Sequence, residues 1–227
     1  EEGGHSIIIG TAAGQTGTDI CANIIIGWEA GYAGSFANGN YNTIVGMQAG
    51  CDVTSGCCNT MLGILAGTNL TTGNNNVLVG RSAGGAAAIT GDDNVFVGTY
   101  TGNQNTSGGA NVFLGKYAGR DTSTGSNNIA LGERALMDGT TTGDDNIFMG
   151  YYAGNGVTSG NDNIFFGESA GRCIATGTEN IGLGRDAMKV GPATGTQNIA
   201  IGCKAGEYIP AGHDNRGYPL GLQIIGK

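Results

Sequence analysis

Proline is nearly missing, with three occurrences in 227 residues. That leaves no polyproline segment, and glycine, although it supplies 46 residues, does not recur at every third position, so a collagen triple helix is excluded. Charge is also scarce, at 12% of residues against about a quarter in ordinary globular chains. The ten Lys and Arg stand singly under a formal net charge of −8. No basic stripe is available to neutralise a phosphate backbone, and nucleic acid is not an expected partner. No apolar run reaches the roughly eighteen residues of a membrane-crossing helix, so membrane insertion is not expected. The opening residues, Glu1-Glu2-Gly3-Gly4-His5, lack an initiating Met and an apolar leader core. A processed product or a piece of a longer chain is the expectation.

Chemistry-bearing residues are equally thin. His5 and His213 lie at opposite ends, so no histidine pair or Ser-His-Asp set can be assembled from neighbours. The six cysteines (Cys21, Cys51, Cys57, Cys58, Cys173, Cys203) form no Cys-x-x-Cys pair, which disfavours zinc and thioredoxin-like chemistry. Cys51 is within local reach of Cys57 or Cys58, and bonds between copies or unpaired thiols are the other open options. The acidic pairs Asp92-Asp93 and Asp144-Asp145, with Asp162, Glu179 and Asp214, read as solvated turns. Calcium needs about six to eight oxygens, and the nonapeptide pattern of calcium β-rolls is missing. Trp28 reads as a packing or surface aromatic, with sugar stacking as the alternative. Asn69-Leu70-Thr71 and Asn105-Thr106-Ser107 match the glycosylation acceptor pattern, as expected by chance in so Asn- and Thr-rich a chain. No catalytic constellation, cofactor motif or metal set emerges, and the chain reads as a non-enzyme without a cofactor.

What the sequence has in abundance is one phrase, typified by Asn163-Ile164-Phe165-Phe166-Gly167 with Ala170-Gly171 three residues later. Twelve copies begin at Ser6, Asn23, Asn42, Asn59, Asn76, Asn94, Asn111, Asn128, Asn146, Asn163, Asn180 and Asn198. Successive starts are 17 to 19 residues apart, and the longer copies, at Asn23, Asn76, Asn128 and Asn180, are every third one. A unit of three copies repeats on top of the single repeat. With the start as position zero, position one is Ile, Val or Thr and position three is a large apolar residue throughout. Position four is Gly in all twelve copies, and position seven is Ala in all but the one with Thr101. Position eight is Gly except at Leu136 and Met188. A Ser/Thr-Gly turn follows.

A repeat this short cannot hold a helix pair, which takes about 33 residues or more, and its apolar run is rich in β-branched residues. The expected fold is all-β: a parallel β-solenoid or β-roll of about twelve 17–18-residue coils over 1–214. Residues 215–227, where Pro219 replaces the repeat glycine, would be a degenerate last coil or a connection. A second short strand is expected after the glycine corner. The position-zero column (Asn23, Asn42, Asn59, Asn76, Asn94, Asn111, Asn128, Asn146, Asn163, Asn180, Asn198) is expected to form an amide ladder. Positions one and three share a face and are assigned to the core. Position two (Ile25, Ile44, Met61, Leu78, Phe96, Phe113, Phe148, Phe165) is then assigned to the outside as a self-assembly stripe, because an apolar stripe of that length would not stay bare.

Phrases such as Asn128-Ile129-Ala130-Leu131-Gly132-Glu133-Arg134-Ala135-Leu136 and Thr142-Gly143-Asp144-Asp145-Asn146 resemble the repeats of phage tail-fibre-type proteins. More distantly they resemble the head repeats of trimeric autotransporter adhesins. The resemblance covers nearly the whole chain to about Asn215. It implies a trimeric rod on a virion or cell surface, and it provides no catalytic residues. The expected function is thus a structural extracellular fibre or adhesive stalk. Its partners are copies of itself, as a homo-oligomer with a trimer first, and a cell-surface glycan or protein met through the repeated loops. The alternative is the subunit of an end-to-end stacked cell-surface filament.

Overall fold

The computed structural model describes residues 5–15, 21–32, 39–189 and 194–207, and the backbone of the pair 223–224. The position-zero residues are followed by twelve three-residue strands: β1 (Ile7–Ile9), β2 (Ile24–Ile26), β3 (Thr43–Val45), β4 (Thr60–Leu62), β5 (Val77–Val79), β6 (Val95–Val97), β7 (Val112–Leu114), β8 (Ile129–Leu131), β9 (Ile147–Met149), β10 (Ile164–Phe166), β11 (Ile181–Leu183) and β12 (Ile199–Ile201). A last strand, β13 (Gln223–Ile224), pairs with β12. The rest of 215–227, with Pro219, lies outside the described residues, as do His213 and Asp214. No helix occurs among the described residues.

The chain divides into two compact units, Glu1–Asn111 and Val112–Lys227. The first carries β1 to β6, each paired in parallel with the next, and the second carries β7 to β13 in the same way. Pairing is in register: Met61 faces Leu78 as Phe148 faces Phe165. Each unit is a parallel β-solenoid in which like positions stack on like.

Strands are short because position four ends them. Its glycines hold φ between +126° and +144°, a region closed to other residues. Space is forbidden there too. A Cβ on Gly80 would stand 2.5 Å from the carbonyl oxygen of Gly98, the same corner one coil on, and Gly167 is in the same position against Gly184.

The expected second strand does not form. Position six takes the left-handed conformation in every coil, with φ of 52° to 61° whether the residue is Leu65, Tyr100, Arg134 or Asp186. A left-handed residue at this point of each coil turns a would-be strand into a turn. Stacking nevertheless continues around the turn through hydrogen bonds between coils, such as the N–H of Leu65 to the oxygen of Met47 at 2.9 Å and of Asp186 to Glu168 at 2.8 Å.

The core is the reverse of the one expected. Position two faces inward: Ile25, Ile44, Met61, Leu78, Phe96, Phe113, Phe148 and Phe165 are wholly buried. Positions one and three face out. The position-two side chains therefore cannot serve as an outward assembly stripe, because the corner glycine and the turn after it fold the chain back over their side of the strand. There they meet the position-seven column, also buried from Ala30 to Ala205 with Thr101 buried among the alanines, and a further column not anticipated from the repeat. That column consists of Val53, Leu70 and Ile89 in the first unit and Val157 and Ile174 in the second. Polar residues interrupt it at Asn105, Thr122 and Thr141. Thr141 Oγ1 donates to the oxygen of Val157 at 3.0 Å.

The two exceptions at position eight now have a cause. Glycine there is needed for room beneath position two: a Cβ on Gly102 would meet the Phe96 ring at 2.5 Å, and one on Gly154 the Phe148 ring at 2.5 Å. Where position two shrinks to Ala130 or Gly182, position eight grows to Leu136 or Met188 in the same coil, and both fill the vacated space, almost wholly buried. Leu136 and Met188 keep the left-handed conformation, with φ of 52° and 51°, so side-chain volume decides the residue in these two coils, while the coil of Ala200 keeps Gly206.

A reciprocal exchange tests that relation. Gly171→Leu is expected to cost roughly 3 kcal/mol by forcing the Phe165 ring aside, and Leu136→Gly a similar amount by opening a cavity. Adding Ala130→Phe to Leu136→Gly is expected to recover much of the loss in urea unfolding. Additive costs in that double-mutant cycle would separate the two columns.

Candidate functional site

Two features repeat often enough to define what the fold offers: the inward amide column and the outward sheet face. Position zero precedes a strand and shares the inward face with position two, so its amide is buried. All eleven Asn, from Asn23 to Asn198, are at most 8% exposed. A primary amide has two N–H donors and an oxygen with two lone pairs, and Asn59 and Asn163 use all four. Asn163 Nδ2 donates to Asn146 Oδ1 at 3.0 Å and to the oxygen of Gly177 at 2.8 Å. Its Oδ1 accepts from the backbone N–H of Asn180 at 3.0 Å and from Asn180 Nδ2 at 3.1 Å. Asn59 does the same with Asn42, Gly73 and Asn76.

The bond to the turn glycine fastens the start of a coil to its end, 14 to 16 residues later. The bonds to Oδ1 fasten one coil to the next. Ser6, the one position-zero residue that is not Asn, supplies an acceptor: its Oγ receives the N–H of Asn23 at 3.0 Å.

A second, shallower ladder lies two residues before the first and was not singled out from sequence. The N–H of Cys57 donates to Asn74 Oδ1 at 3.0 Å, and that of Asn74 to Asp92 Oδ1 at 2.7 Å. In the second unit the N–H of Ser126 donates to Asp144 Oδ1 at 2.7 Å, and that of Asp144 to Asn161 Oδ1 at 2.8 Å. Its polarity is opposite to that of the buried ladder, with the later coil accepting. Asp92 and Asp144 are thus tied to a neighbouring coil, while Asp93, Asp145, Asp162 and Glu179 are exposed. The signal available in sequence was the Asn, Asp or Ser recurring two before the Asn.

The outward face carries two apolar columns. Ile24, Leu62, Leu114, Ile164, Phe166 and Ile201 are among its exposed members, Phe166 at 52% and Leu62 at 47%. Around the corner in the first unit, Trp28, Met47 and Ile64 occupy position five of three consecutive coils and are also exposed.

The cysteines are thiols outside any disulfide, with Cys21, Cys58, Cys173 and Cys203 exposed. Burial, and next a hydrogen bond with Cys58, push the Cys57 thiol above its ordinary pKa, and its Sγ donates to Asn74 Oδ1 at 3.2 Å. Asp186, at position six, is held below the usual carboxylate range by its hydrogen bond to Lys189. No groups of three or more metal-ligating side chains occur among the described residues, and no helix there is long and apolar enough to cross a membrane. Comparisons with protein-family models, curated proteins and solved structures return no match.

The ladder makes a graded expectation. Asn163→Ala leaves the N–H of Asn180 and the carbonyl of Gly177 without their buried partner and is expected to cost on the order of 3 kcal/mol. Asn163→Ser, which keeps an acceptor as Ser6 does, is expected to cost less. Urea unfolding of the two variants checks the order, and equal losses would mean that the oxygen is not what the next coil needs.

Proposed function

We propose that this chain is a structural element of an extracellular fibre or adhesive stalk that assembles with copies of itself through the outward face of its sheet. One observation carries this reading. Positions one and three present Ile, Val, Leu, Met and Phe to solvent, with Thr43 and Thr60 as the only polar side chains in the two columns, and residues as large as Phe166 are half exposed. Large contiguous apolar patches on soluble proteins are generally covered by a partner. A second copy fits this one directly: an in-register column on one chain matches the same column on another, level for level, when copies associate in parallel around a symmetry axis.

The arrangement we propose is a closed bundle, three-fold in the first instance. Its interface would consist of the outward columns of each unit, from Ile24 and Ile26 to Val95 and Val97 in the first and from Val112 and Leu114 to Ile199 and Ile201 in the second. In this reading the stiffness of the fibre comes from ladder hydrogen bonds within each copy. The exposed turns, repeated from coil to coil, supply many weak contacts to a surface, and weak contacts in series gain avidity by raising effective concentration. A cell or virion surface is the setting this implies, and the chain itself carries out no reaction.

Charge placed on the face tests the proposal. Leu62→Asp and Phe166→Asp, at outward positions that burial within one chain does not require, are expected to leave the fold intact and to release monomers, read by light scattering after size exclusion. Assembly unaffected by both substitutions would remove this face as the interface.

A further inference from the structure

One side-chain cluster of the second unit belongs to neither the ladder nor the sheet face. Position six of three consecutive coils is Tyr117, Arg134 and Tyr152, and their side chains stack. The Arg134 guanidinium lies 6.0 Å from the Tyr117 ring centre and 5.3 Å from that of Tyr152. Arg172 lies 4.9 Å from the Tyr152 ring centre. Tyr151, 44% exposed, stands edge-on to the same ring with centres 4.5 Å apart. Tyr152 therefore has a guanidinium and an accessible second ring within 5 Å of it.

The cations of this cluster differ in what they have left to give. Arg120 is paired with Asp121 at 2.6 Å and Asp138 at 3.3 Å. Arg134 donates to the Tyr152 hydroxyl and has Glu133 at 3.8 Å. Arg172 forms no ion pair and no side-chain hydrogen bond among the described residues. Stacking holds a guanidinium by its face and leaves its edge donors free. Those donors match the two oxygens of a carboxylate or the oxygens of a sulfate.

We propose that Arg172 and Tyr151 form a subsite for an acidic sugar residue of a surface polysaccharide, the anionic group on the Arg172 edge and the pyranose face on the Tyr151 ring. The surrounding charges select this polymer over nucleic acid. Glu133 and Glu168 occupy Tyr151's column one coil to either side, and both are exposed. A duplex carrying a charge about every 1.7 Å would meet both carboxylates, whereas a polysaccharide with widely spaced acids need meet neither. The subsite is built from one copy of the chain, so it deepens the stalk reading without requiring self-association.

Affinity electrophoresis of the full chain through gels containing polygalacturonate, chondroitin sulfate, dextran or poly(dT) tests it, with sedimentation velocity on the same samples to record the state of assembly. Retardation by at least one acidic polysaccharide, and by neither dextran nor poly(dT), is expected. Arg172→Gln is expected to weaken it about tenfold, the loss of one charge-assisted hydrogen-bonded contact. Tyr151→Ala is expected to weaken it as well, and Lys204→Gln, elsewhere in the same unit, to leave it unchanged. No retardation by either acidic polymer, retardation by dextran or poly(dT) of equal strength, or equal loss in Arg172→Gln and Lys204→Gln would each overturn the subsite. A monomeric chain that still binds would leave the subsite standing while the proposed bundle fell.

Discussion

Everything in this fold depends on a buried amide whose hydrogen bonds reach the coil before, the coil after and the end of its own coil, all four valences being used at Asn163. An unpaired polar group buried in a thin core costs about as much as several buried methylenes contribute. A coil shifted by one residue along its neighbour would strand the Asn163 oxygen together with the backbone N–H and the Nδ2 donor of Asn180. The ladder thereby fixes the register, and the register brings glycine corner over glycine corner and phenylalanine over phenylalanine.

From that register follows the division of the strand between two environments. Three residues alternate out, in, out, and the single inward side chain must fill the interior with an alanine, a turn glycine and one residue of the closing loop. Volume is shared locally: the coils with Ala130 and Gly182 are completed by Leu136 and Met188. The outward pair has no such neighbours within its own unit. A chain with apolar residues on both faces of its strands resembles a parallel sheet covered on both sides, and here the chain itself covers only one.

Much of this was legible in the sequence, because a repeat of 17 to 19 residues leaves few folds open and its columns announce stacking. The glycine corner, the Asn column and the small residue at position seven all sit where the repeat places them. Which face is inward was not legible from the number of apolar columns, since two columns look more like a core than one. Parity held the answer: position zero and position two lie on the same side of the strand, so an amide ladder needing shelter from water takes Phe165 inside with Asn163. The anticorrelation between positions two and eight carried the same information. The missing second strand was hidden for another reason. Its left-handed position six admits Ala, Glu, Leu, Tyr, Arg and Asp alike, being imposed by hydrogen bonds between coils and not by residue type, so no local sequence preference marks it. The Tyr117, Arg134 and Tyr152 stack lies in that same unmarked column and emerges only when consecutive coils are superimposed.

Amide hydrogen exchange, resolved by residue, tests the ladder most directly. If the buried amides set the register, the backbone N–H groups of Asn59, Asn76 and Asn94 in the first unit and of Asn163 and Asn180 in the second will exchange as slowly as the strand amides beside them, through opening of the whole unit. Exchange of those N–H groups at the rate of the exposed Ser/Thr-Gly turns, with the strands still protected, would contradict the account.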